Sequence, residues 1–123
     1  MVARPLITVV DDDESVRESL PDLLRELGYE ARAFASGEEL LASDCVTATQ
    51  CLILDVAMPG TSGPELHRKL LLLGHTLPVI FITALADESL PPGILQDRIV
   101  ACLVKPFSEQ DLQEALSAAL QGA

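Results

Sequence analysis

Four short, unbroken aliphatic runs constrain this chain more than anything else in it. "LITVV" (6–10), "CLILD" (51–55), "PVIFIT" (78–83) and "VACLV" (100–104) are of strand length, rich in β-branched residues and bounded by polar or proline signals. Continuous rather than alternating apolar character is what a strand buried on both faces requires. A fifth run, "YEARAF" (29–34), alternates more, as an edge strand with one wetter face does. Such strands cannot be covered by one another alone, so the segments between them must supply helices.

Those segments carry helical patterns. Val16, Leu20, Leu23, Leu24 and Leu27 form one apolar stripe ending at Gly28. Pro21 lies inside it, and proline within a helix typically costs ~3 kcal/mol, which predicts a kink or local break. "SGEELLA" (36–42) opens with a capping-box pattern from Ser36 to Glu39. "GPELHRKLLLLG" (63–74) has Pro64 at a helix start and Gly74 at its end. The last helix (108–120) is capped by Ser108, with Asp111 three residues on, and carries Leu112, Ala115, Leu116, Ala119 and Leu120 on one face. Residues 84–99 are different: Pro91, Pro92 and Gly93 stop any helix crossing their middle, so a short or irregular element is expected there. Strand alternating with helix implies right-handed crossovers and a parallel sheet covered on both faces. The expected fold is α/β: a flavodoxin-like, doubly wound five-stranded parallel sheet in the order 2-1-3-4-5, with residues 1–123 forming one domain.

Aromatic residues make up only 3% of the chain, so the core must be Leu, Val, Ile and Ala. A net charge of −11 argues against this chain gripping nucleic acid or anionic lipid by itself. Cys45, Cys51 and Cys102 are an odd number without C-x-x-C spacing, which reads as reduced thiols rather than a disulfide framework. The apolar stretch before the aspartates is too short for a signal peptide, and no run approaches the 18 or so residues of a membrane span. A soluble, cytoplasmic domain is expected.

In a doubly wound sheet, ligands bind beyond the carboxyl ends of the strands. The first strand ends in Asp11 and Asp12, the third in Asp55, the fourth in Thr83 and the fifth in Lys105, whereas the second ends in Phe34 and Ala35. Each has a plain reading when taken singly: an aspartate after a strand is often a helix cap, and that is the reading preferred for Asp13. For Asp11 or Asp12 alone, capping and chemistry weigh about evenly; Thr83 alone is a strand residue and Lys105 alone a solvated charge. Separate caps do not predict the coincidence of such residues at four strand ends. Three carboxylates in one pocket repel by roughly several kcal/mol per close pair, and a hard divalent cation such as Mg²⁺ removes that penalty. A hydroxyl and a lysine opposite the metal complete a site for a phosphoryl group, with the central Asp55 as nucleophile.

At these residues the sequence resembles the receiver domains of two-component response regulators. "VVDDDESVR" resembles the family's acidic-pocket segment, "LILDVAMPGTSG" its phosphoacceptor segment, "FITA" its hydroxyl-bearing strand and "LVKPF" its lysine–proline strand. The resemblance spans essentially the whole chain. It implies phosphorylation of Asp55 by a sensor histidine kinase. It implies Mg²⁺ held by Asp12, Asp55 and the main-chain carbonyl of Ala57, with Asp11 acting more often through water. Thr83, Ala84 and Lys105 are implied to contact the phosphoryl oxygens, and Lys105–Pro106 to be the family's cis peptide. The implied partners, besides the kinase, are an output domain of the helix-turn-helix type or a separate target protein, and a second copy on phosphorylation.

The sequence also departs from the family. Cys102 stands where an aromatic switch residue is usual, Pro91-Pro92-Gly93 replaces the family's fourth helix, and Arg98-Ile99 replaces a Gly-Ala pair. The expected signalling face is therefore atypical while the pocket is intact. Ala57 and Leu85 occupy positions that influence attack by water in the family, and neither orients a water, which predicts a long-lived phosphorylated state. Two other functions are compatible with a pocket of this kind. A phosphohydrolase with an aspartyl nucleophile commonly carries a second Asp where Ala57 stands here. A pseudo-receiver would bind partners without phosphate; the complete acidic pocket argues against that reading and the atypical signalling face argues for it. His67, on a helix face expected to be solvated, and His75 form no metal signature, and "KLLLLG" reads as core.

Overall fold

A computed structural model describes residues 4–84 and 99–121. The elements run β1 (Leu6–Val10), α1 (Glu14–Glu26), β2 (Glu30–Phe34), α2 (Gly37–Leu41), α3 (Cys45–Ala48), β3 (Cys51–Asp55), α4 (Gly63–Leu72), β4 (Val79–Thr83), β5 (Ile99–Val104) and α5 (Glu109–Gln121). All five strands are parallel in the order β2-β1-β3-β4-β5, the order expected from the sequence. The β4–β5 ladder has one irregularity, between Val79 and Ile80. The short or irregular element expected around Pro91-Pro92-Gly93 lies outside the described residues, as do Leu85 and Arg98.

The unbroken aliphatic runs are explained by the two faces of the sheet. Ile7, Val9, Ile53, Ile80 and Ile82 point to one side, against Leu20 and Leu24 of α1 and Leu112, Leu116 and Ala119 of α5. Val10, Leu52, Leu54, Val79 and Phe81 point to the other, against Leu40 of α2, Val46 of α3 and Leu66 and Leu70 of α4. Every residue of β3 and β4 is buried. Both strands are interior and helices cover both faces, so no position can be polar without a partner.

Several local readings need correction. α1 is continuous through Pro21, without a break; Pro21 is buried between Leu20 and Leu24, and packing of that stripe outweighs one missing donor. The Ser36 cap forms, with its hydroxyl accepting from Glu39 N. The Glu39 carboxylate reaches one residue further back than a capping box requires, to Ala35 N. A full capping box occurs instead at Ser62 and Glu65, at the start of α4. His67 is buried at 3% exposure, edge-on to Phe81, because α4 turns that face inward onto β4. Of the "KLLLLG" leucines, Leu70 is core while Leu72 and Leu73 are 81% and 64% exposed, since the helix ends there. The short helix α3 was not foreseen. It is tied to β1 by a buried contact of 2.6 Å between the Thr8 and Thr49 hydroxyls, and the Thr49 hydroxyl donates to Cys45 O.

Candidate functional site

The carboxyl ends of β1, β3, β4 and β5 converge, as the topology requires. Carboxylate oxygens of Asp11, Asp12 and Asp55 all lie within 4.8 Å of one another. Asp11 and Asp55 are buried, and Asp12 is exposed. Lys105 Nζ donates to Asp11 Oδ2 at 2.8 Å and stands 3.9 Å from Asp55 Oδ1. Thr83 closes β4, buried, and its carbonyl accepts from Lys105 N at 2.7 Å, fixing the root of the lysine beside the pocket. The Lys105–Pro106 peptide is cis. Ala84 and Ala57 are exposed on the loops that follow β4 and β3.

The three consecutive aspartates have three different surroundings. Both oxygens of Asp11 are engaged, Oδ2 by Lys105 and Oδ1 by Asp13 N at 2.9 Å. Asp12 projects its carboxylate into the pocket from the exposed turn. Asp13 is the N-cap of α1: Oδ1 accepts from both Ser15 N and the Ser15 hydroxyl. Those two bonds hold its acid strength above that of a free aspartate. The Arg17 guanidinium, which the sequence reading did not single out, donates to Asp11 O at 3.1 Å. The acceptor is a main-chain carbonyl six residues back, so no residue-type spacing signals it.

Electrostatics mark Asp55 as the unusual group. Burial, then the neighbouring charge of Asp11, push its pKa from 3.8 up to about 7, against the opposing pull of Lys105. Burial alone would lower the pKa of Lys105, but the hydrogen bond and charge of Asp11 and the charge of Asp55 outweigh it, so the ammonium is held more firmly than usual. Three carboxylates facing one lysine leave the pocket short of positive charge. An oxygen-only donor set with that deficit fits a hard divalent cation such as Mg²⁺.

The loop after β3 reaches this pocket through a close backbone approach. Gly63 N donates to Val56 O at 3.2 Å. A Cβ at residue 63 would overlap the carbonyl oxygen of Asp55 and crowd the Phe81 ring at 3.3 Å. Glycine is therefore required where α4 begins.

A doubly wound α/β domain with a lysine-bridged acidic pocket at its carboxyl edge is the class of protein that fold and site define. The family model for the response regulator receiver domain matches residues 7–117, and the chain belongs to that family. Among curated relatives, nodulation protein W of Bradyrhizobium diazoefficiens is 39% identical over 118 residues, covering 96% of this chain and 52% of that protein. The transcriptional regulatory protein TdiR of Thauera aromatica is 37% identical over 114 residues, covering 93% and 50%. The chain thus spans about half the length of the curated relatives it matches. Among solved structures, the response regulator StyR superposes with a TM-score of 0.90 at 39% identity, covering 97% of this chain and 60% of that one. The chain is a receiver of the two-component type, regulatory rather than metabolic. No helix among the described residues is long and apolar enough to cross a membrane.

Proposed function

We propose that residues 1–123 act as one receiver domain that accepts a phosphoryl group on Asp55 from the phosphohistidine of a sensor histidine kinase, in a Mg²⁺-dependent reaction. The observation that carries this reading is the meeting of Asp11, Asp12 and Asp55 within 4.8 Å, with Lys105 Nζ bridging Asp11 and Asp55. Asp12, Asp55 and the main-chain carbonyl of Ala57 would hold the metal directly. Asp11, with both oxygens already engaged, would act through water. When bound, Mg²⁺ screens the carboxylates and draws charge from the phosphoryl oxygens.

An oxygen of Asp55 attacks phosphorus, and the new P–O bond forms as the P–N bond of the donor breaks. The electron pair leaves with the imidazole nitrogen, which takes up a proton from solvent. Thr83 offers its hydroxyl and Ala84 its main-chain N–H to the phosphoryl oxygens, and Lys105 neutralises charge from the opposite side. Asp55 must be ionised to attack, so the proton that burial and then the charge of Asp11 favour on it has to leave before phosphoryl transfer. Ala57 has no group to orient an attacking water, which supports a long-lived phosphorylated state. Loss of the phosphate within seconds from purified protein in Mg²⁺ would overturn that part of the reading. The proposed output is transcriptional, by likeness to the relative named as a transcriptional regulatory protein. A second copy of the phosphorylated chain is a further proposed partner.

The test is intact-protein mass after incubation with a small phosphodonor, with and without Mg²⁺. A single-phosphate gain that needs Mg²⁺ and vanishes in Asp55→Asn is expected. No gain in the wild type would make the domain a phosphate-independent binding module.

A further inference from the structure

Three residues with no role so far meet beside the loop that carries Ala57. The Thr61 hydroxyl donates to Glu38 Oε2 at 3.3 Å and accepts from Lys69 Nζ at 3.3 Å. Glu38 belongs to α2, Lys69 to α4, and Thr61 to the loop between β3 and α4. Thr61 is buried at 8% exposure although both of its partners lie on exposed positions. The contact with α2 is close along this stretch: a Cβ on Gly60 would come within 3.3 Å of the same Glu38 oxygen.

The loop is otherwise fixed at its base and on its apolar side. Val56 N donates to Ile82 O at 2.9 Å, Gly63 N donates to Val56 O, and Met58 is buried in the core. Ala57, Pro59 and Gly60 are exposed, so packing does not set the path of the chain through them. Thr61 supplies the polar anchor at the far end of that exposed stretch. A hydroxyl that donates to a carboxylate and accepts from an ammonium ties the loop to α2 and α4 at once, through two bonds of 3.3 Å that are longer than charge-assisted bonds usually are.

We infer that the Glu38–Thr61–Lys69 chain is a positioning device for the phosphorylation site, holding the β3–α4 loop so that the Ala57 carbonyl faces the acidic pocket and thereby setting the affinity for Mg²⁺. The inference rests on the reading of the Asp55 pocket given under Proposed function. Its physical basis is preorganisation: a loop already held in place loses less freedom when a ligand is bound, and supporting groups outside the ligand shell tune metal affinity. None of the three residues belongs to the proposed metal-ligand set, so each is a positioning residue rather than a catalytic one.

The test is calorimetric titration of the whole chain with MgCl₂, comparing wild type with Thr61→Val, Thr61→Ser and Lys69→Met. Thr61→Val keeps the shape and removes the hydroxyl, and is expected to weaken binding about three- to tenfold, the span for one hydrogen bond. Thr61→Ser restores the hydroxyl and is expected within about twofold of wild type. Lys69→Met separates positioning from charge, because loss of a positive charge from the domain acts by itself only to tighten Mg²⁺ binding. The positioning chain predicts the opposite sign. Unchanged affinity in Thr61→Val, failure of Thr61→Ser to restore it, or tighter binding in Lys69→Met overturns the inference. Lys69 is exposed, so that variant decides the matter if Thr61→Val does not fold. A wild type that gives no Mg²⁺ binding overturns the metal reading itself, an outcome distinct from any of these.

Discussion

The two turns that flank the acidic pocket are built in opposite ways. The turn from β1 to α1 is three residues long and held by its own side chains: Asp13 caps the helix, Asp11 accepts from Asp13 N, and Arg17 reaches back to Asp11 O. The turn from β3 to α4 spans residues 56–62 and is held by the rest of the molecule. Its anchors are the seat of Gly63 on Asp55, the burial of Met58 and the contact of Thr61 with α2 and α4. The first turn encodes its shape in residue type. The second encodes it in tertiary fit, so damage to the two should look different.

The largest effect is expected at Gly63. Gly63→Ala forces a methyl group against backbone that has nowhere to move, which should cost about 3 kcal/mol in a urea melt and abolish phosphorylation as well. A stable, phosphorylatable Gly63→Ala would show that the second turn is looser than the close approach implies. Next is Lys105, which touches both sides of the comparison. Lys105→Met leaves the fully buried Asp11 carboxylate without its cation, a loss of about 2 kcal/mol given that the lysine side chain keeps 23% of its exposure. Unchanged stability would mean that Asp13 N alone satisfies Asp11.

Asp55→Asn should act in the other direction. The native Asp55 binds a proton up to a pH of about 7, while the unfolded chain releases it near 3.8. Across that window the native state holds more protons, so stability falls as the pH rises. Removing the charge should therefore stabilise the metal-free protein at pH 8 by about 1–2 kcal/mol, part of the repulsion being shared with Asp11, and the gain should shrink towards pH 4. A gain that grows on acidification would contradict the assigned sign. The smallest effect belongs to Asp13. Asp13→Ala should lower the melting temperature by only a few degrees and leave Asp55 fully phosphorylatable. A block in phosphorylation would return Asp13 to the pocket.

The same contrast explains what could be read from the sequence. Strand positions and their order followed from unbroken aliphatic runs, because burial on both faces leaves no room for alternation. Asp13 and Ser108 could be assigned as caps from residue type and spacing, since a cap is a local transaction between neighbours. The convergence of Asp11, Asp12, Asp55 and Lys105 was legible through topology, which sends every strand end to one edge. What escaped depends on distant partners. His67 was placed in water because its helix was judged without the strand it packs on. Pro21 was expected to break α1 because the gain from burying its neighbours is invisible in a local propensity. The link from Thr61 to Glu38 spans 23 residues of sequence and has no periodic signature.

The mounting of the charges has a mechanical consequence. The buried carboxylates of the pocket are carried at β1 and β3, strands with neighbours on both sides, whereas its ammonium follows β5, which among the described residues pairs only with β4. Within β5, Cys102 and Val104 face outward, exposed. Anion and cation are thus attached to different parts of the sheet, the one to its interior and the other to its edge. The ion pair between Lys105 and Asp11 thus straps the rim of the sheet to its interior.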